Sequence, residues 1–121
     1  MITSYPAGVS VYGTAVDGSG NVYASTGADN RVFAFSAGVT IPGFSNPMGL
    51  SVDAGGNLYV ADTGNRQIEE FKAGSGLTQQ PLVIFNEGGL LGSPKGVAVD
   101  PSSGAIYVAD SQNNVIVKFA P

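Results

Sequence analysis

The sequence predicts an all-β fold made of three copies of one four-stranded antiparallel unit. Three observations point to it. A motif recurs three times in register, short apolar segments alternate with turn residues, and the composition is rich in glycine and poor in charge. Of 121 residues 18 are glycine, and only 12% are charged, about half the usual share. The 43% of hydrophobic residues suffices for a core.

The repeat is plain in its second and third copies. Pro47-Met48-Gly49-Leu50-Ser51-Val52-Asp53 lies over Pro94-Lys95-Gly96-Val97-Ala98-Val99-Asp100. Asn57-Leu58-Tyr59-Val60-Ala61-Asp62 lies over Ala105-Ile106-Tyr107-Val108-Ala109-Asp110, and Asn65, Ile68 and Phe71 fall on Asn113, Ile116 and Phe119. A weaker first copy holds Gly13 to Asp17, Asn21-Val22-Tyr23, Val32 and Phe35, with Thr26 where the others have Asp62 and Asp110. Tyrosine to phenylalanine is 12 residues in all three copies. From Asp17 to Asp53 is 36 residues and from Asp53 to Asp100 is 47, and the extra 11 fall between Phe71 and Pro94.

Each copy reads as strands joined by turns. Residues 13–17, 49–53 and 96–100 are apolar with small residues interleaved, as for inner strands covered on both faces. The Asp-x-x-Gly-Asn stretches that follow are turn signals, because Asx side chains satisfy local amides and glycine accepts positive φ. Strands at 22–26, 58–62 and 105–110 come next, then a second turn, then strands at 31–35, 67–71 and 115–119. Outer strands fall near 38–41 and 81–85, and Pro42 beside one of them fits an edge.

The pattern P-x-G-φ-x-V-D-x-x-G-N-φ-Y-V-A-D-x-x-N-R-x-I-x-x-F resembles the NHL repeat over about 110 of the 121 residues. That resemblance implies a β-propeller, typically six blades of four antiparallel strands. The expected layout is one unit, residues 1–121, with an outer strand at 2–5 and repeats at about 11–41, 47–85 and 94–119. Three blades do not close a ring, since propellers use on the order of 4–8. The third repeat reaches only its third strand, at Phe119, and the segment Ile2-Thr3-Ser4-Tyr5 is strand-like with no blade ahead of it. It is similar to an outer-strand segment of streptogramin lyases. The expectation is a homodimer of two three-bladed chains closing to six blades. Ile2, Thr3, Ser4 and Tyr5 of one copy would complete the third blade of the other along Val115, Val117 and Phe119.

Composition narrows the function. The net charge is −4, and the five basic residues Arg31, Arg66, Lys72, Lys95 and Lys118 are scattered. Nucleic acid and anionic membranes are therefore not expected as partners. There is no cysteine, which removes disulfides and thiolate metal sites, and no histidine, the commonest general base. No long apolar run reads as a membrane span, and the first residues lack the pattern of a signal peptide. Low Lys and Glu content with abundant Ser, Thr, Gly and Asn resembles secreted bacterial propellers.

Several residues look like sites. Asp17, Asp53 and Asp100 could ring a channel mouth and hold a cation, but each starts a turn and reads as its cap. Asp62 and Asp110, with Asn65 and Asn113 three places on, could hold Ca²⁺ or a sugar. They frame a turn that every blade needs, so they read as architectural instead. Arg31 and Arg66 follow that turn, with Asn114 in the third repeat, and Tyr23, Tyr59 and Tyr107 read as packing between blades. Residues 73–93 break the repeat, so Glu87 with an exposed Leu90 and Leu91 is the favoured binding site, seconded by Arg66, Asn65 and Asn113.

The functional expectation is a non-catalytic scaffold, or protein- or ligand-binding module, with no cofactor and no metal. The alternative is an enzyme with a site in the channel. Amidating and streptogramin lyases rely on histidine, which this chain lacks. A lactonase-like site would need a divalent metal on carboxylates and amides, which sit here only in the repeated turns. RNA binding, known for NHL domains with basic surfaces, conflicts with the sparse positive charge.

Overall fold

The computed structural model describes residues 10–35, 38–73 and 83–121, with backbone only at Val83, Ile84 and Glu87. Among these residues eleven strands form three antiparallel sheets, each ordered as in the sequence. The first holds β1 (Thr14–Val16), β2 (Val22–Ser25), β3 (Val32–Ala34) and β4 (Val39–Ile41). The second holds β5 (Pro47–Val52), β6 (Leu58–Asp62), β7 (Gln67–Phe71) and β8 (Val83–Phe85), and the third β9 (Pro94–Val99), β10 (Ile106–Asp110) and β11 (Val115–Phe119).

The turns follow from their residues. Asp53 Oδ1 accepts from the N–H groups of Gly55 and Asn57, both at 2.9 Å, and Asp17 does the same with Ser19 and Asn21. Gly20, Gly56 and Gly104 close these turns at φ of 86°, 85° and 80°, where a side chain would be strained. The β2–β3, β6–β7 and β10–β11 turns each place one non-glycine residue in the left-handed region: Asn30, Arg66 and Asn114, at φ of 57°, 57° and 56°.

The sheets meet face to face, with β1 against β5 and β5 against β9. One apolar cluster, including Tyr23, Val32, Ile41, Phe44, Leu58, Val60 and Phe71, fills the first contact. A second, including Tyr59, Ile68, Leu91, Ile106, Val108 and Phe119, fills the other. Hydroxyls stitch the same seams: Ser25 Oγ donates to the Met48 carbonyl, and Thr63 Oγ1 to the Pro94 carbonyl at 2.6 Å.

Coverage shows directly in the strands. All five residues of β6 are buried, because its sheet is covered on both faces. In β10 burial alternates, with Ile106, Val108 and Asp110 buried and Tyr107 and Ala109 exposed. The third sheet is covered on one face only.

Candidate functional site

The aspartates that end the inner strands are fully engaged. Asp17 Oδ2 accepts from Asn21 Nδ2 at 2.7 Å and from the Tyr23 hydroxyl at 3.3 Å. Asp53 Oδ2 accepts from Asn57 Nδ2 at 2.9 Å and from the Tyr59 hydroxyl at 3.1 Å. At Asp100 the hydroxyls of Ser102 and Ser103 take these places, at 2.8 and 2.7 Å. Hydrogen bonds from Asn21 hold Asp17 below the usual carboxylate range, and those from Ser103 and Ser102 bring Asp100 down to about 2. Burial pushes Asp53 up, but the bonds from Asn57, Tyr59 and Gly55 outweigh it and leave it lowered. These carboxylates cap turns. Among the described residues no three acidic side chains gather as a metal site.

Asp62 and Asp110 tie each sheet to the loop that enters it. Asp62 Oδ1 accepts from Ser45 N–H at 2.7 Å, and Asp110 accepts from Gly92 and Ser93 N–H at 2.9 and 2.8 Å. Asn65 and Asn113 each donate to the aspartate three residues back, at 2.8 Å, and Asn113 also donates to the Leu90 carbonyl at 3.1 Å. In the first sheet Thr26 Oγ1 donates instead to the Arg31 carbonyl at 3.1 Å. Arg66 occupies the left-handed turn position with its side chain exposed. Its counterpart in the first repeat is Asn30, seven residues after the tyrosine, not Arg31, which pairs with Asp29 at 3.4 Å.

The repeat-breaking segment divides. Leu90 is 58% exposed, whereas Leu91 is fully buried in the contact between the second and third sheets. Leu91 is therefore core and not part of a surface site. Glu87 opens a short 3-10 segment, Glu87–Gly89, kinked at Gly88 with φ of 64°, and its side chain lies outside the described set.

A pair that sequence reasoning missed lies between the first two sheets. Glu69 is 7% exposed, and among the described residues its Oε2 meets no donor while its carboxyl lies against that of Asp62. Oε1 accepts from Gln67 Nε2 at 3.0 Å. Burial and then the neighbouring Asp62 carboxyl raise Glu69 to about 7, and burial raises Asp62 as well. Two adjacent buried carboxyls do not both ionise at low cost, so a proton held between them is the stable state below neutral pH. Glu70, on the other face of β7, is satisfied by the Tyr59 hydroxyl at 3.2 Å and by Lys72 at 3.5 Å. The signal for Glu69 was in the register, since its counterparts are Phe33 and Val117.

The outermost faces carry the exposed apolar residues. Beyond the third sheet these include Tyr107 and Ile116, 37% and 75% exposed, with Lys118 Nζ 5.7 Å from the Tyr107 ring centre. Beyond the first sheet Val16 is 59% exposed and Tyr12 55%. Tyr23 and Tyr59, the counterparts of Tyr107, are only 7% and 6% exposed because a following sheet covers them. Of the residues expected at a seam, Phe119 and Val117 turn inward onto the second sheet, and Val115 is half exposed. Ile2, Thr3, Ser4 and Tyr5 lie outside the described residues.

A family model, the NHL repeat, matches residues 44–71 and 91–119. The chain carries NHL repeats. No curated protein matches it. Among solved structures, hydrazine synthase from Kuenenia stuttgartiensis superposes with a TM-score of 0.61 at 16% identity, over 98% of this chain and 40% of that one. Virginiamycin B lyase from Staphylococcus aureus follows at 0.60 and 11%, over 92% of this chain and 41% of that one. A catalytically inactive form of that lyase with quinupristin gives 0.61 and 11%, over 88% and 40%. These likenesses show the β-propeller fold, and the chain spans about two fifths of each of these structures.

The NHL matches also explain Leu91. They begin three residues before each Pro-x-Gly, so Phe44 and Leu91 are the same repeat position, and both are core. An alignment started at the prolines left Leu91 in the insertion. The blades of this chain thus use the recurring aspartates, asparagines and tyrosines for their own construction. What the repeat does not require is Leu90, the Asp62–Glu69 pair and the two outer faces.

Proposed function

We propose that this NHL chain is a non-catalytic propeller segment that associates with a second copy into a six-bladed ring, and serves as a scaffold or a protein- or ligand-binding module. The observation that carries the reading is the pair of outer blade faces, with Val16 exposed on one and Tyr107 and Ile116 on the other. Inside the chain the neighbouring blade buries Tyr23 and Tyr59, Val32 and Ile68, which take the places of Tyr107 and Ile116, and half-buries Val52 and Val99, which take that of Val16. In this reading the segment at residues 2–5 adds a strand along β11, the edge of the third sheet. The non-catalytic part rests on the use of the repeat carboxylates as turn caps and loop ties, and on a sequence without histidine or cysteine.

Two such seams imply an interface of obligate size, roughly 2,000 Å² or more, and two-fold symmetry is the commonest arrangement. Light scattering or sedimentation at micromolar concentration tests the reading. A mass of two chains is the expected result, and a folded monomer would overturn the assembly.

A further inference from the structure

We infer that Gly96 is the contact point for the second copy, its bare backbone taking the Tyr12 carbonyl of the partner subunit. This rests on the assembly proposed above and specifies its register. Gly13, Gly49 and Gly96 are one repeat position. A Cβ at Gly13 would collide with the Met48 carbonyl, and one at Gly49 would lie 2.5 Å from the Lys95 carbonyl and 2.9 Å from Gly96 Cα. In both blades glycine is needed because the backbone of the next blade closes on it. Met48 and Lys95 are themselves one repeat position, at irregularities where β5 and β9 shift register and push a carbonyl towards the preceding blade.

Among the described residues no such neighbour meets Gly96. The nearest atom to a Cβ there is Ala109 Cβ of its own sheet, at 3.5 Å, an ordinary contact. Glycine weakens a strand, and its usual justification there is a close approach by another backbone. The surrounding face is formed like those already filled, with Ala98, Ala109, Tyr107 and Ile116 turned outward. The mate is present at the other end of the same chain. Tyr12 stands at the position of Met48 and Lys95, and Val16 at that of Val52 and Val99. Among the described residues the blade contact that occurs twice within the chain therefore has both its halves open, one on the first sheet and one on the third. A second copy joins them twice, with Gly96 of each chain against Tyr12 of the other.

The test is sedimentation velocity across a concentration series on the whole chain, on Gly96→Ala and Gly96→Leu, and on Gly18→Ala as a control whose Cβ meets nothing within 4 Å. We expect Gly96→Ala to weaken association roughly tenfold or more, Gly96→Leu to abolish it, and Gly18→Ala to leave it unchanged. Hydrogen exchange on the unaltered chain needs no variant. Protection should appear on association at residues 10–16 and 94–98. If the chain dimerises but the Gly96 variants dimerise equally well, or protection falls elsewhere, the register is wrong while the assembly stands. If the unaltered chain is a folded monomer, the assembly itself fails and the register with it. If a Gly96 variant does not fold, the exchange pattern decides.

Discussion

Glu69 offers the sharpest test of the contact between the first two blades. The substitution is Glu69→Gln, which keeps the shape, removes the ionisation and can still donate towards Asp62. The carboxyl moves from its ordinary 4.5 to about 7 in the folded protein. At pH 4 it is protonated in both the folded and the unfolded chain, and its contribution is complete. Between 4.5 and 7 the folded chain binds the extra proton, so stability falls as pH rises and levels off above 7. The full difference is about 3 kcal/mol, at 1.36 kcal/mol per pH unit. Removing the ionisation should recover most of it, so Glu69→Gln is expected to be more stable by about 2–3 kcal/mol at pH 8 and nearly unchanged at pH 4. For a chain of this length that is a rise in melting temperature of roughly 10 °C at the higher pH. Urea denaturation of both chains at the two pH values, at one protomer concentration, measures it. A gap that is the same at both pH values, or a variant less stable at pH 8, would refute the argument. Glu69 would then be ionised and compensated in the fold.

Two further predictions concern the segment before the third blade and the left-handed turns. Leu91→Ala should cost about 2–5 kcal/mol by opening the second apolar cluster, while Leu90→Ala should stay within about 0.5 kcal/mol. Denaturant titration showing the reverse order would place the core on the wrong leucine. Arg66→Gly should stabilise the chain by about 1 kcal/mol by relieving a left-handed non-glycine residue whose side chain is exposed. A comparable loss would mean that the arginine makes a contact worth more than the strain.

Most of the fold was legible because strand, turn and repeat signals agree. β6, β7 and β11 fall at 58–62, 67–71 and 115–119 as the apolar pattern predicts, and the remaining strands differ by one or two residues at their ends, residues 81–82 of the expected outer strand lying outside the described residues. β5 and β9 begin earlier than expected, at Pro47 and Pro94, because each shifts register within a few residues of its proline and pairs on both sides of the shift. The architectural reading of Asp62, Asp110, Asn65 and Asn113 was legible from their recurrence alone. Leu91 was not, because its copy in the second repeat, Phe44, shares only hydrophobicity with it. Glu69 was not, because a glutamate in an alternating strand reads as solvent-facing. Its burial comes from a neighbouring sheet and not from the strand pattern.

The comparison of repeats separates two kinds of information. A residue that recurs from blade to blade, such as the Asp-x-x-Asn tie of the second and third, reports what one blade needs to fold. A residue whose reason is present in two blades and missing in the third reports what lies outside the chain. Tyr107 is an aromatic at a place that is buried twice over, and Gly96 is a glycine at a place where a side chain is forbidden twice over. In the chain alone both choices are costly, one leaving apolar surface in water and the other weakening a strand. In the proposed ring both costs vanish against the same object, a blade edge bearing a residue like Tyr12 or Val16. Glu69 departs in the opposite sense, a charge where the other blades are apolar, and its consequence stays inside the chain as a proton-dependent contact. The outer faces are therefore where association with other molecules is sought, and the Asp62–Glu69 pair is where pH acts on the blades themselves.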